Sequence, residues 1–154
     1  MQHELRSTKK VLAVASGGGH WVQLLRLQPA FVHHKVTYVS TNAAYGNDVD
    51  GTLLTVTDAN MNEKLKLLVM FFEMFLHFLR IRPDVIITTG AAPGFAAIAF
   101  GRLFGAKTIW VDSIANSEEL SASGRQAGRF AHTWLTQWEH LAKPAGPMYW
   151  GAVL

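Results

Sequence analysis

Residues 14–27 read VASGGGHWVQLLRL, so that three glycines and a histidine stand between an apolar run and an amphipathic one. The apolar run 11–15 is typical of a buried strand, and residues 21–27 carry apolar side chains at helical spacing. A glycine-rich turn between a strand and a helix lets a ligand approach main-chain N–H donors, and the helix N-terminus adds partial positive charge. The stretch therefore predicts an anion site, most often for a phosphate, with His20 beside it.

The same glycines allow an interpretation without a ligand, in which they only permit a tight turn and close packing of helix against sheet. Two common phosphate motifs are absent, because the run lacks the lysine of a P-loop and the spacing of G-x-G-x-x-G. A second glycine-rich stretch, TTGAAPG at 88–94, follows another apolar run. Two such loops at one edge of a sheet favour a ligand over a simple turn.

Strand and helix patterns alternate along the chain. Strands are predicted at 11–15, 36–40, 53–56, 85–89, 108–111 and 134–136, and helices at 21–31, 62–81, 94–104 and 121–131. A loop is predicted at 41–51, which is rich in Asn, Gly and Asp. The alternation predicts an α/β fold, a Rossmann-like parallel sheet with helices on both faces and ligands at the carboxyl ends of the strands.

Composition limits the chain to one domain. Of its 154 residues, 49% are hydrophobic and 16% are charged, enough for a single core over residues 1–154. No cysteine is present, which excludes a disulfide framework and a thiolate metal site. No pair of histidines has the spacing of a zinc protease, so we expect no metal site, and no cofactor is implied.

The charge is mildly basic, with a formal net charge of +3 and a pI near 9.4. This balance suits an acidic ligand or an anionic membrane surface, whereas the lysines and arginines are too dispersed to indicate nucleic acid. The first ten residues, MQHELRSTKK, lack the apolar core of a signal peptide. We therefore expect a cytoplasmic protein.

The stretch 62–82 is the most apolar predicted helix. Between residues 65 and 79 its only polar side chains are Lys66, Glu73 and His77, which with Arg80 form one narrow stripe. Its uninterrupted apolar stretch is shorter than the ~20 residues that span a bilayer, which leaves a helix buried between the sheet and a partner or one that lies at a membrane surface. Four phenylalanines nearly encircle it, more than one sheet face can cover, so some of them must contact something else, either a membrane surface or a partner. The candidates for membrane contact are Phe71, Phe72, Phe75 and Phe78.

Three stretches in order resemble the PssD-type exopolysaccharide glycosyltransferase subunits. They are SGGGHWVQLLRL, RPDVIITTGAAPG and the segment from residue 111 to the end, which contains DSIANSEELSASGR and LTQWEHLA. These subunits are bacterial relatives of the membrane-anchoring subunit of the two-part N-acetylglucosaminyltransferase of lipid-linked N-glycan assembly. The resemblance covers essentially the whole chain. It implies the N-terminal, acceptor-side half of a GT-B glycosyltransferase, similar to the first domain of MurG.

The resemblance also implies how the work is divided between subunits. A separate PssE-type subunit supplies the half that binds the UDP-sugar donor, and this chain provides acceptor binding and membrane association. The implied acceptor is a polyprenyl-diphosphate-linked saccharide of polysaccharide biosynthesis. The implied location is peripheral, on the cytoplasmic face of the inner membrane, with attachment through the apolar helix at 62–82.

Chemistry and resemblance together nominate the site residues. Inverting glycosyl transfer needs a base to take the proton of the attacking hydroxyl, and His20 and Asp112 are the two candidates at one sheet edge. The acceptor diphosphate is expected at Ser16, Gly17, Gly18, Gly19, Thr89, Gly90 and Gly94, and the acceptor-side loop at Ser113, Asn116 and Glu118. Structural alternatives stay open, because Asp112 also suits a helix cap or a loop brace, and Asn116 with Glu119 suits a capping pair.

Two other function classes stay open. A self-sufficient nucleotide-binding α/β protein needs an acidic residue about 20 positions past the glycines, and HHKVTYVSTN at 33–42 offers none at the end of its strand. A non-catalytic membrane scaffold would only recruit the enzyme. A neighbouring gene for a second half-domain, followed by co-purification, distinguishes the two-part transferase from the stand-alone protein, and an activity assay of the complex separates it from the scaffold.

Overall fold

The computed structural model describes residues 7–153, and it builds them around one sheet of seven parallel strands. The strands are β1 (Lys10–Val14), β2 (Lys35–Ser40), β3 (Thr52–Thr55), β4 (Val85–Thr88), β5 (Lys107–Val111), β6 (Thr133–Thr136) and β7 (Met148–Tyr149). Their order across the sheet is β3-β2-β1-β4-β5-β6-β7. The prediction that no signal peptide is present rests on residues 1–10, of which residues 1–6 lie outside the described residues.

Four α-helices and three short 3-10 segments connect the strands. The helices are α1 (Gly19–Arg26), α2 (Lys64–Ile81), α3 (Ala91–Phe104) and α4 (Ala122–Ala127), and the 3-10 segments are Gln28–Phe31, Ala43–Asp48 and Glu139–Leu141. On one sheet face α2, α3 and α4 cover Leu12, Val39, Ile86 and Trp110. On the other, Trp21 and Leu24 of α1 and Phe31 cover Val11, Ala13 and Ile87. The predicted α/β sheet with helices on both faces is confirmed.

The strand order places β1 beside β4, although the two are separated by two strands and α2 in the chain. From β1 the chain builds outward through β2 and β3, and it then returns to β4 and builds in the opposite direction. In an open α/β sheet the crevice beyond this reversal point is the usual ligand site. Here both glycine-rich stretches follow the two strands that flank it.

All six predicted strands are present, with bounds that shift by one residue in several cases. The seventh, β7, was not predicted, because two exposed residues that pair only with the edge of β6 carry no periodic signal. Helix α1 ends at Arg26 rather than near residue 31, and a 3-10 turn with Pro29 in its first turn follows. Helix α3 begins three residues earlier than predicted, at Ala91.

The capping pair expected at Asn116 and Glu119 is wrong. Helix α4 begins after Ser121, whose side chain accepts the N–H of Gly124. Asn116 instead lies in a turn, where its N–H bonds the carbonyl of Ser113. The serine caps because it directly precedes the first helical residue and its oxygen reaches the N–H three residues on.

In helix α2 the polar stripe is present, but the four phenylalanines are not all available for contact with lipid. The carboxylate of Glu73 accepts the N–H and the hydroxyl of Thr57, and Nε2 of His77 lies 2.9 Å from the carbonyl oxygen of Thr55. Phe78 is only 5% exposed and belongs to the core, so it offers no surface to lipid. Phe71 and Phe75 are half-buried against aromatic rings of α3. Of the four phenylalanines, Phe72 alone is exposed.

A different set of side chains forms the exposed apolar face of α2. It consists of Leu65, Leu68, Val69, Phe72, Leu76 and Leu79, which recur at helical spacing along one side. Within residues 7–153, no helix has the length and apolar character needed to cross a membrane.

Candidate functional site

Two helix N-termini meet the sheet edge where β1 and β4 end. The N-cap residue of α1 is Gly18 and that of α3 is Gly90, and both have a positive φ. Neither helix has a side chain that caps its N-terminus. The N–H groups of a first helical turn have no partner inside the helix, and here no capping side chain accepts them. Ala91 also adopts a positive φ of 68°, a strained conformation for alanine of the kind found at functional sites.

His20 lies in the first turn of α1 and bridges the two loops. Its Nδ1 is 2.9 Å from the carbonyl oxygen of Thr89, and the hydroxyl of Thr89 donates to the carbonyl oxygen of His20 at 2.6 Å. A carbonyl oxygen can only accept, so Nδ1 carries the hydrogen, and the tautomer compatible with this bond has its lone pair on Nε2. No group in residues 7–153 bonds that Nε2. The half-buried imidazole is therefore oriented as a proton acceptor.

Glycine is required beneath the ring. A Cβ on Gly90 would lie 2.8 Å from Cε1 of His20, and one on Gly94 would lie 2.1 Å from the hydroxyl oxygen of Thr88. That hydroxyl accepts the N–H of Gly90 at 3.1 Å and so supports the turn. Thr89, Gly90 and Gly94 are buried, and their contacts are with other parts of the chain.

The first glycine stretch forms the accessible part of the edge. Gly18 and Gly19 are exposed, and a Cβ on either would meet nothing within 4 Å. Ser16 and Gly17 are half-buried. The structure thus brings all seven residues predicted for the diphosphate to one edge, with only the 16–19 stretch open to a ligand.

Tyr45 lies against this stretch and was not predicted from the sequence. The N–H of Gly18 donates to the Tyr45 hydroxyl oxygen at 3.0 Å, and the Tyr45 ring stacks on Trp21 with centroids 4.7 Å apart. Trp21 in turn donates from Nε1 to Asp48. The segment predicted as a loop at 41–51 is thereby fastened beside the glycines. Tyr45 is the one aromatic residue of this segment, and it was the only feature of the sequence that could have indicated packing against the rest of the fold.

Asp112, the second base candidate, follows β5 and is 2% exposed. Its Oδ1 accepts the Ser121 hydroxyl at 2.6 Å and Nε1 of Trp110 at 3.2 Å, and its Oδ2 accepts the N–H of Ser121 at 3.0 Å. Both carboxylate oxygens are therefore occupied by the chain itself. This placement favours the brace that the sequence left open for Asp112, because it ties β5 to the start of α4.

A buried amide network joins α1 to the acceptor-side loop. Gln23, one helical turn after His20, donates to the Ser113 hydroxyl at 3.1 Å and accepts the N–H of Ile114. Gln137, which follows β6, donates to Oε1 of Gln23 at 2.6 Å and to the carbonyl of Asp112 at 2.9 Å. Sequence reasoning missed both glutamines, since a lone glutamine carries no pattern that distinguishes it from a solvated one.

The loop 113–120 lies at the same edge, and its base is held in place. The Nε1 of Trp138 donates to the carbonyl of Ile114 at 2.8 Å, and Ser113 contacts Gln23 as described. Asn116 is half-buried and Glu118 is exposed. Of the three residues predicted on this loop, Ser113 therefore supports it and Glu118 offers a carboxylate to the surroundings.

Known proteins resemble this chain in structure, although no family model and no curated protein matches its sequence. MurG from Acinetobacter baumannii superposes with a TM-score of 0.75 at 15% identity, covering 92% of this chain and 45% of MurG. The S. aureus MnaA–UDP structure superposes with a TM-score of 0.64 at 12% identity, covering 84% of this chain and 38% of MnaA. A glycosyltransferase from Rickettsia africae superposes with a TM-score of 0.58 at 12% identity, covering 78% of this chain and 33% of that enzyme.

The fold is that of a GT-B half-domain. The parallel sheet and its helices match the N-terminal half of MurG, which confirms the fold predicted from the sequence. The chain spans less than half the length of each of these three structures. At identities of 12–15% the likeness concerns the fold alone.

Proposed function

We propose that this chain is the acceptor-side half of a two-subunit glycosyltransferase of the PssD type. Its partner, a PssE-type subunit, binds the UDP-sugar, and the acceptor is a polyprenyl-diphosphate-linked saccharide of polysaccharide biosynthesis. The observation that supports this best is the orientation of His20, whose Nε2 is presented at the reversal point of the sheet while Thr89 holds Nδ1. The chain matches less than half of each GT-B-like structure described above, and in this proposal the PssE-type subunit supplies the other half-domain.

The proposed chemistry assigns one proton to His20. The acceptor hydroxyl oxygen attacks the anomeric carbon of the donor sugar, and the bond from that carbon to the UDP oxygen breaks with its electron pair leaving on UDP. The hydroxyl proton passes to Nε2 of His20. The resulting imidazolium keeps its Nδ1–H on the Thr89 carbonyl, whose negative end of the dipole stabilises the cation.

The diphosphate of the acceptor fits the open glycine stretch. The N–H groups of Gly19 and His20 lie in the first turn of α1, and those of Ala91 and Ala92 lie in the first turn of α3. Such groups suit an anion because they point outward and share the positive end of the helix dipole. In this proposal Ser16, Gly17, Gly18 and Gly19 contact the diphosphate, and Thr89, Gly90 and Gly94 build the surface behind it.

The loop after β5 is proposed to contact the saccharide. Glu118 is exposed on a loop anchored by Ser113, and a carboxylate accepts hydrogen bonds from sugar hydroxyls. Asn116 lies two residues before it in the same loop. Asp112 is assigned the bracing role, since the chain already occupies both of its oxygens.

Membrane association is proposed for the exposed face of α2. This helix of 18 residues, about 27 Å long, presents leucines, a valine and Phe72 along one side, with Lys64, Lys66 and Arg80 as exposed cations. An apolar face flanked by cations suits a helix that lies in the plane of an anionic membrane. Because α2 runs from the carboxyl end of β3 back to the start of β4, it begins at the edge of the sheet that carries the glycine stretch.

Co-expression with a PssE-type subunit tests the proposal. The co-purified pair is assayed with a panel of UDP-sugars and lipid-linked acceptors, beside this chain alone and beside a pair carrying His20→Ala. We expect turnover by the pair, none by the single chain, and a complex that assembles but turns over far less with the alanine. Robust turnover by the single chain, or a fully active His20→Ala pair, contradicts the proposal.

A further inference from the structure

A small pocket of about 240 Å³ lies at the sheet edge opposite the glycine stretch, where β1, β2 and β3 begin. Its polar lining consists of Lys10, Lys35, Arg80, Thr37 and Thr52. We infer that this pocket binds a phosphate-bearing anion. The inference concerns the far end of the sheet and uses none of the residues proposed for catalysis or for the acceptor diphosphate; it shares only Arg80 with the proposed membrane face of α2.

Sheet register brings the two lysines together. Lys10 of β1 pairs directly with Lys35 of β2, and Thr37 pairs with Thr52 of β3. Side chains alternate along a strand, so Lys10 shares a face with the core residue Leu12, and Lys35 shares that same face with Val39. This is the face that α2 covers. Arg80, from the last turn of α2, completes the pocket.

Three exposed cationic side chains share this pocket, and an anion bound between them reduces their mutual repulsion. Like charges on directly paired strand positions are destabilising. In residues 7–153 the ion pairs are Lys66 with Glu63 and Arg125 with Glu119, and neither involves this pocket. Asp84 contacts the backbone of Lys10, accepting its N–H at 2.8 Å, rather than the ammonium group. The described part of the chain therefore supplies no counter-charge within ion-pair distance.

The lining suits phosphate chemistry. A guanidinium binds two phosphate oxygens at once, lysines act as point charges on the same group, and threonine hydroxyls donate further hydrogen bonds. The anion is either a free phosphate or diphosphate or the headgroup of an anionic lipid. The second source is available because the exposed apolar face of α2 ends at Leu79, next to Arg80.

The test uses a charge-matched pair of variants. Lys10→Gln/Lys35→Gln removes two charges from the pocket, and Arg129→Gln/Lys143→Gln removes two from exposed positions elsewhere. Binding of inorganic phosphate and pyrophosphate is measured by NMR titration. Binding of phosphatidylglycerol vesicles, against phosphatidylcholine vesicles, is measured by flotation. We expect the pocket variant to bind its anion at least about tenfold more weakly, as the loss of two charge-assisted contacts implies, and the control to change little.

Each outcome decides the matter. A selective loss of phosphate or pyrophosphate binding supports the site with a free anion as ligand, and a selective loss of phosphatidylglycerol binding alone supports it with a lipid headgroup. Equal behaviour of the two variants, or no binding of either probe by the unmodified protein, overturns the inference. Should Lys10→Gln/Lys35→Gln not fold, Arg80→Gln is compared with Arg129→Gln in the same titrations.

Discussion

His20 and Thr89 hold each other through two hydrogen bonds, although they lie 69 positions apart in the chain. The carbonyl of Thr89 faces Nδ1 of the imidazole at 2.9 Å, and the Thr89 hydroxyl reaches the His20 carbonyl at 2.6 Å. The first bond selects the tautomer and the second fixes the start of α1 against the end of β4. Together they fix the ring and leave Nε2 without a partner among residues 7–153, so a substitution that removes Nε2 and keeps the other bond tests the role of His20.

His20→Asn removes Nε2 while its amide still donates to the Thr89 carbonyl from near the position of Nδ1. Loss of a general base costs roughly 10²–10⁴-fold in turnover. We expect a fall of that size in the co-purified pair, with the circular dichroism spectrum and acceptor binding unchanged. The control is His33→Asn at an exposed position. Near-normal turnover by His20→Asn would instead make His20 an anion-binding or structural residue.

Alanine variants at Gly18 and Gly19 distinguish the effect of backbone strain from the effect of blocking a ligand. Gly18 has a φ of 65° and a ψ of −134°, a region that L-residues rarely adopt, so Gly18→Ala strains the backbone by roughly 1–3 kcal/mol although its Cβ meets no atom. Gly19 carries no such φ, and its Cβ also has open space. We expect Gly19→Ala to keep the midpoint of thermal unfolding and to raise the KM for the lipid-linked acceptor, because its methyl group stands where the diphosphate approaches. An unchanged acceptor KM for Gly19→Ala would contradict binding at this stretch.

Asp112→Asn distinguishes a brace from a base. The amide must turn an NH2 group toward one of the donors that the carboxylate now accepts, which leaves buried groups unpaired at about 1–3 kcal/mol. We expect a lower free energy of unfolding in urea, a smaller loss for Ser121→Ala, and turnover per folded molecule within severalfold of the unmodified pair. A stable Asp112→Asn protein without turnover would return Asp112 to the role of base.

Phe72 is exposed on α2 whereas Phe78 is buried in the core, so the two residues test the membrane face against the packed face. Phe72→Ser/Leu76→Ser changes exposed side chains only, so we expect the protein to move from the membrane to the soluble fraction with its thermal unfolding unaltered. Phe78→Ser creates a cavity in the core, and losses of about 3–5 kcal/mol are typical for such a truncation. Retention of the double variant on membranes would exclude this face as the contact.

His132 gives the fold a defined pH dependence. Although His132 is exposed overall, partial desolvation lowers the pKa of its imidazole below the usual 6.5, and the nearby charges of Arg102 and Lys107 act in the same direction. Arg102 faces Nε2, and a protonated ring has no lone pair to offer it. Because the unfolded chain takes up this proton at a higher pH than the folded one, stability is complete above pH 6.5 and declines as the pH falls through that value.

Urea unfolding at several pH values between 5 and 8 measures this effect. We expect His132→Gln to flatten the decline below pH 6.5, while His33→Gln, at an exposed position, leaves it in place. Identical pH profiles for the His132 variant and the unmodified protein would show that another group causes the decline.

Local pattern alone determined the class of fold and the place of the open loop. Apolar runs and helical spacing are local patterns, so the sequence alone predicts six strands, four helices and the polar stripe of α2. Glycines between a strand and a helix indicated the 16–19 stretch for the same reason. In each case the relevant interaction lies within a few residues along the chain.

Tertiary structure decided which distant residues meet. Thr89 reaches His20 only because β4 lies beside β1, and the side of α2 that faces α3 determined that Phe78 is buried while Phe72 is exposed. Ser121 donates hydrogen bonds to both oxygens of the Asp112 carboxylate. Strand register makes Lys10 and Lys35 neighbours. Such contacts depend on strand order and on packing between elements far apart in sequence, and the periodicity of a single segment contains no information about either.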